Sequence, residues 1–510
     1  MLRLPMIFKD NLVLQRHKPI EIWGEASPNE VVTAELCRGG ETLVKVSSSA
    51  DPSGAWRVFL LPQEAGCGFE LTITSGSETV TLHDVLIGEV WIAGGQSNME
   101  FFLQFDAERE TAFARGEEPD IRFFDYPEIS YEGELEEYDF SEFGFWRQCR
   151  REDLPWFSAV GYWFAHKLRA EINVPIGIVG CNWGGSRACC WIGRERLVGT
   201  PGEVWLRDYE EGIKGVDPAE YRRAFLSVPN NVYDHPFSRD NTILDPGFSR
   251  EFQLKVIKMT ESMTKPPYFD VIGLDHPWRP CGLYETMLVN VAPYTCRGVI
   301  WYQGESDEFH PEIYDQVLAI LVRNWRDLWH DELPFLMVQL APFGAWLQNG
   351  SDAYPTLRDR QARAARDIPD VWLASSSDSG MEWDIHPKHK RPIGERLALL
   401  AMGHIYGRDI LCDAPEFESV EWEDGKLTVS FKHGEGLYLQ TADGSRTLSG
   451  PVNALLVDGR PMEGHIEADR LVVPVPLRPK RAELAWCGYY EMNLYNAAGI
   501  PAMPFETEIK

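Results

Sequence analysis

Five short apolar runs, at residues 89–93, 176–181, 298–303, 334–340 and 371–375, alternate with stretches of helical period. Such runs suit strands buried on both faces, and the intervening helices supply the two covering layers. The pattern therefore predicts an α/β core on a five-stranded parallel, doubly wound sheet. The helices are legible from spacing: Ile313, Val317, Ile320, Leu321, Trp325 and Leu328 fall on one stripe, and Ile393, Leu397, Leu400 and Ala401 on another.

On either side the grammar changes. Between 19 and 87, short alternating segments are broken at Pro28-Asn29, Gly39-Gly40 and Pro52-Ser53-Gly54, as in a β-sandwich. Alternation returns at 426–431 and 471–475. A chain of 510 residues has room for three domains at roughly 150 residues each. We expect an N-terminal β-sandwich-like domain at 1–87, an α/β domain at 88–410 and a C-terminal β domain at 411–510. Residues 196–278 are polar and Pro-rich without clear strands, and read as an insertion in the α/β domain that carries short helices or forms a lid.

A formal net charge of −29 has the wrong sign for nucleic acid or an anionic membrane surface, so neither is expected as a partner. Nowhere do 18 apolar residues run uninterrupted, and Met1 to Val13 lacks a basic segment followed by an apolar one. The ten cysteines show neither a dense disulfide pattern nor paired zinc spacing. The expectation is a reduced, cytoplasmic protein, or a secreted one if a leader has been removed, with no cofactor and no metal. Oligomeric state is not legible.

Ligands in open α/β sheets bind beyond the carboxyl ends of the strands, and the unusual residues of this chain fall there. Gly94-Gly95-Gln96-Ser97-Asn98-Met99 follows the first run, where a tight turn would set Ser97 at the start of a helix with its N–H free to bind an anion. Trp183-Gly184-Gly185-Ser186 follows the second, and an N–H of Gly185, less readily Gly184, can approach a reacting centre without side-chain interference. Gln303 ends the third run, within Trp301-Tyr302-Gln303-Gly304-Glu305-Ser306-Asp307, and its amide offers another donor. Acyl transfer needs such donors because the carbonyl oxygen becomes negative in the tetrahedral intermediate. After the fifth run comes Asp384-Ile385-His386-Pro387. A serine hydroxyl attacks only when an imidazole takes its proton and an acid orients that imidazole, so Ser97, His386 and Asp384 form a candidate triad. Asp378 is the alternative orienting acid.

Other readings of these residues stand beside this one. Asp384, His386 and His389 resemble metal ligands, but no further Cys/His cluster completes a zinc set. Glu305 and Asp307 suggest a two-carboxylate glycosidase, orientation of neighbouring groups, or simply a solvated loop. Gln96, Trp183, Arg187 and Glu305 are candidate substrate-binding residues. Trp183 and Trp191 read either as sugar platforms or as core, and Arg187 meets either a substrate carboxylate or a surface acid.

The blocks Gly95-Gln96-Ser97-Asn98-Met99, Trp183-Gly184-Gly185-Ser186, 298–307, and Asp384-Ile385-His386-Pro387 followed by Gly394-Glu395-Arg396-Leu397-Ala398 together resemble the sialate O-acetylesterase family, within the SGNH hydrolases and related to acetylxylan esterases. The likeness extends to Leu12-Val13-Leu14-Gln15-Arg16, Pro280-Cys281-Gly282-Leu283-Tyr284 and Asn493-Leu494-Tyr495-Asn496, and so covers most of the chain. It implies an SGNH-type, flavodoxin-like sheet with a β domain on each side. It also implies a nucleophile at Ser97, an Asp384–His386 dyad, and an oxyanion hole from the Ser97 and Gly185 backbone and the Gln303 side chain. Gln303 stands where many wider SGNH enzymes have Asn. The activity implied is hydrolysis of O-acetyl esters on sugars, foremost sialic acid, through an acetyl-enzyme. The alternatives are an acetylxylan or other acetyl-oligosaccharide esterase, and a non-catalytic carbohydrate-binding protein on a hydrolase-like core.

Overall fold

The strand Glu78–Gly95 organises the molecule. Its first half pairs antiparallel with Gly66–Ser75, in a sheet that also holds Val31–Arg38 and Glu41–Ser49. Its second half is the central strand of the α/β core, parallel to Ile176–Asn182 on one side and Gly298–Tyr302 on the other. A computed structural model describes residues 1–137, 139–226, 249–262, 265, 267–268, 270–347 and 349–509 of the chain.

All five expected core strands are present and mutually parallel, yet the sheet is larger than the apolar runs predict. Its order is Val371–Ala374, Phe335–Val338, Gly298–Tyr302, Glu78–Gly95, Ile176–Asn182, Glu118–Asp125, Trp146–Cys149. Glu118–Asp125 adds a sixth parallel strand and Trp146–Cys149 an antiparallel edge. Both escape the sequence reading because charged residues interrupt them: Glu118, Asp120 and Arg122 in one, Arg147 in the other. With the N-terminal strands attached, the whole is one mixed 11-stranded sheet rather than a separate five-stranded one.

Helices Ala159–Ile172 and Arg391–Leu400 pack on one another. Tyr314–Trp329 buries Val317, Leu321 and Trp325, the inner part of the stripe read from sequence. The former helix starts at Ser158, whose hydroxyl accepts the Gly161 N–H, and stops at Asn173 in the left-handed conformation. Within the expected insertion lie Glu203–Gly212, Pro218–Leu226 and Arg250–Ser262, all helical. Its middle, 227–248, is outside the described residues.

The C-terminal part is a seven-stranded antiparallel sheet that starts at Glu416–Glu423 and ends at Phe505–Glu508, with a smaller three-stranded sheet beside it. Arg358, fully buried on the helix Tyr354–Asp367, ties this part to the core. Its guanidinium donates to the carbonyls of Leu340 and Ala341 on the core side and of Cys487 and Gly488 on the other. Among the described residues, no helix is long and apolar enough to cross a membrane.

Candidate active site

The strand order reverses around Glu78–Gly95, and the crevice beyond its carboxyl end gathers three of the singled-out loops. Gly95 makes the turn there. Its φ is +136°, and a β-carbon on it would stand 2.1 Å from the Tyr302 carbonyl oxygen. Ser97 follows at the start of the one-turn helix Ser97–Glu100, partly open to solvent, and its N–H meets no acceptor among the described residues.

The loop after Val371–Ala374 returns to this crevice. His386 Nε2 lies 3.0 Å from Ser97 Oγ, with the ring buried. Asp384 Oδ1 accepts the His386 backbone N–H at 2.8 Å and stands 3.4 Å from Nδ1, near enough for ion pairing though not aligned as a hydrogen bond. Lys388 Nζ approaches the other oxygen at 3.0 Å. Burial pulls the Asp384 carboxyl upward, but the contacts with His386 and the charge of Lys388 together outweigh it and hold the group below its ordinary value. Burial also lowers the His386 pKa, against the opposing pull of Asp384, so the imidazole is neutral and able to take a proton. Asp378, the alternative orienting acid, is engaged bidentately by Arg396 at 2.7 and 2.6 Å.

In the turn after Ile176–Asn182, Glu100 Oε2 accepts the Gly184 N–H at 2.7 Å. The Gly185 N–H has no acceptor among the described residues. A β-carbon on Gly184 would stand 3.4 Å from Ser97 Cβ, so this turn lies directly against the serine. Trp278, from the end of the insertion and 36% exposed, donates from Nε1 to the Gly184 carbonyl at 2.9 Å. Trp346 meets the His386 ring edge-on at 5.1 Å. The insertion helix Arg250–Ser262 reaches the same loops, where buried Gln253 donates to Trp383 O and accepts the Leu347 N–H.

Four expectations need correction. Gln303 is fully buried, and its amide nitrogen faces Asp307 Oδ2 at 2.5 Å, Ser186 O and Gln96 Oε1, while Oε1 accepts the Tyr314 hydroxyl. Two N–H bonds cannot serve these acceptors and an oxyanion as well. Gln303 instead shares Asp307 with the Ala188 N–H and so braces the glycine turn. Gln96 is likewise spent inside the protein, accepting from Gln303 and Gly304 and donating to Ser306. Buried Glu305 accepts from Asn98 Nδ2, and Asn98 in turn accepts from Lys390 and donates to Ile385 O, a chain that ties the serine turn to the histidine loop. Trp183 is 5% exposed within the core and offers no platform, and Trp191 is buried too. The ring beside the turn is that of Trp278, which sits in the segment without period and so gives no sequence signal.

Arg187 is partly exposed between Trp205 and Phe309, its guanidinium 4.9 and 5.3 Å from their ring centres. Among the described residues, no carboxylate oxygen lies within 4.0 Å of it.

Comparison with known proteins follows the same lines. Residues 274–402 match the model of the carbohydrate esterase, sialic acid-specific acetylesterase family. The chain is similar to the sialate O-acetylesterase of Mus musculus, 27% identical over 98% of this chain and 93% of that one. It is similar also to that of Homo sapiens, 25% identical over 86% and 78%. A solved structure of a carbohydrate acetylesterase from Xanthomonas citri superposes with a TM-score of 0.75 at 28% identity, covering 99% of both chains.

Proposed function

We propose that this chain, a member of the sialate O-acetylesterase family of carbohydrate esterases and a carboxylic ester hydrolase, removes O-acetyl groups from sugars by way of an acetyl-enzyme on Ser97. The observation that carries this reading is the 3.0 Å contact of Ser97 Oγ with His386 Nε2 beside two backbone N–H groups, of Ser97 and Gly185, that have no acceptor among the described residues.

Ser97 Oγ attacks the acetyl carbonyl as its proton passes to His386 Nε2, and Asp384 stabilises the imidazolium. The oxyanion forms against the N–H groups of Ser97 and Gly185, which are held in place before the reaction begins. As the tetrahedral intermediate collapses, its C–O bond to the sugar breaks and the His386 imidazolium gives its proton to the departing sugar oxygen, which leaves as the hydroxyl. Water then repeats the sequence on the acetyl-enzyme, and acetate leaves.

The proposed substrate is an O-acetylated sialic acid. Arg187, next after the glycine turn and, among the described residues, in no ion pair within 4.0 Å although its charge acts on Asp307 and Glu308, supplies the charge that a sialate carboxylate requires. Acetylated xylo-oligosaccharide is the second reading, favoured by the partly exposed ring of Trp278, which suits a neutral sugar equally well. Acetate release from 9-O-acetyl sialic acid and from acetylated xylo-oligosaccharides, with Arg187→Met beside the unaltered protein, separates them. Loss of a charged hydrogen bond should lower efficiency about 10–100-fold on the sialate alone. Equal losses on both substrates, or faster turnover of the neutral one, overturn the sialate assignment. The ten free thiols support a reducing compartment as the place of action.

A further inference from the structure

We propose that His404, Cys412, Asp413 and His433 bind one divalent transition metal of zinc type, clamping the C-terminal β part to the last core helix. The residues come from three segments. His404 lies in the turn Ala401–Ile405 that ends the core helix Arg391–Leu400, Cys412 and Asp413 lie in the connection that follows, and His433 comes just after the strand Lys426–Lys432. Their spacing in sequence matches no zinc pattern, which is why reading the cysteines alone found no such site.

The ligand atoms of His404, Cys412 and Asp413 all lie within 4.8 Å of one another. Ligands bonded to tetrahedral zinc at about 2.0–2.3 Å stand roughly 3.3–3.8 Å apart. Cys412 Sγ is 3.6 Å from His404 Nε2 and 3.4 Å from Asp413 Oδ2, already at that separation. His404 Nε2 stands 2.9 and 3.0 Å from the Asp413 oxygens and His433 Nδ1 4.0 Å from Oδ2. The first pair must open by a few tenths of an ångström, and the half-exposed His433 ring, which stands outside the group whose ligand atoms all lie within 4.8 Å, must turn inward to complete the set. Two imidazoles, a thiol and a carboxylate are a donor set of borderline softness, which suits zinc or cobalt and not calcium or magnesium. On binding, the thiol bonds the metal as thiolate and releases its proton to solvent.

The surroundings fix these groups in advance. Asn496, fully buried, donates from Nδ2 to the carbonyls of both Asp413 and His433, at 2.9 and 3.1 Å, locking the main chains of two ligands together. It belongs to the segment Asn493-Leu494-Tyr495-Asn496 singled out in the sequence, for which the ester-cleaving site has no use. The His404 ring stacks on Trp372 at 4.6 Å with the planes 14° apart, which sets its direction. Cys412 approaches so closely that a β-carbon on Gly403 would lie 2.4 Å from its sulfur, so the glycine admits the thiol to this position. An ion pair between His404 and Asp413 alone would need neither the buried thiol nor the shared Asn496.

The test uses the full-length protein stripped of metal by chelation and dialysis, then titrated with Co²⁺. A thiolate-to-cobalt charge-transfer band should grow to an end point of one metal per chain, and Zn²⁺ should displace it. Cys412→Ser should abolish the band. His404→Ala and His433→Ala should each weaken affinity at least tenfold, and Asn496→Ala about 10–100-fold, as for partners that orient ligands. Excess Zn²⁺ should raise the unfolding temperature of the unaltered protein and not of Cys412→Ser. Absence of the band, or a band of unchanged strength in Cys412→Ser, overturns the proposal. Should Cys412→Ser fail to fold, the His404→Ala and His433→Ala titrations decide it, and unchanged affinity in both is equally fatal.

Discussion

Trp278 covers Gly185 so closely that a β-carbon on residue 185 would stand 2.4 Å from its ring. The φ of Gly185, +74°, also lies in the left-handed region, so any side chain there strains the backbone and displaces either the ring or the turn. Gly185→Ala should therefore lower kcat by about 10²–10³, as for loss of one oxyanion donor, with a smaller change in KM. Steady-state kinetics on a chromogenic acetate measure this, and an unchanged kcat would remove Gly185 from the oxyanion hole.

Ser97→Ala and His386→Ala should each abolish acetate release while the circular dichroism spectrum stays that of the folded protein. Asp384→Asn should cost up to about 10⁴ through the wrong imidazole tautomer. Asp378→Asn is the contrast, since Asp378 faces Arg396 and not His386. If Asp378→Asn proved the more damaging to kcat in a folded protein, the orienting acid would have been misassigned.

Much of this site was legible because it is local. A glycine pair after an apolar run, or an Asp two residues before a His, can be read in sequence, and the strand ends bring these short pieces together. What escaped depends on direction and distance. Gln303 was visible as an amide at a strand end, but nothing in the chain says that Asp307, four residues on, captures its N–H groups. Glu100, Lys390, Trp278 and Trp346 act through contacts formed only on folding. In the sheet, period identified the fully apolar strands and missed Glu118–Asp125, whose charged positions are tolerated near an edge.

The pH profile should have its acid limb below the ordinary histidine value of 6.5. Burial lowers the His386 pKa first, Asp384 opposes, and Lys388 and Lys390 lower it further. A base must be neutral to accept the serine proton, so activity persists on acidification until His386 itself protonates. Replacing Lys388 by Met removes a positive charge that disfavours the imidazolium, and the limb of kcat/KM should move to higher pH. Movement to lower pH would contradict this electrostatic account.

Acetyl esters should be preferred over longer ones. The acyl group must fit beside Gly184, which already sits against Ser97, and beneath Trp278. Each misfit methylene typically costs about 1–3 kcal/mol. Catalytic efficiency on acetyl, butyryl and octanoyl esters of one alcohol should fall in that order, whereas a rise with chain length would point to a lipase.

Arg358→Met should destabilise the protein by about 3 kcal/mol, because four carbonyls, two of them in buried and two in partly buried hydrogen bonds, lose a charged donor at once. The midpoint of denaturant unfolding reports the loss. A midpoint within error of the unaltered protein would mean that the C-terminal sheet is held chiefly by other contacts.

The strand that ends at Gly95 begins at Glu78, and residues 87 and 88 fall in its middle. A recombination event joining a foreign β module at that point would sever the backbone that aims Ser97. The two halves of this sheet also draw on one continuous apolar interior, in which Val32, Leu71 and Ile87 belong to the same cluster as Val179 and Trp325. The N-terminal strands are therefore not a detachable passenger. They are expected to melt together with the hydrolase core rather than before it.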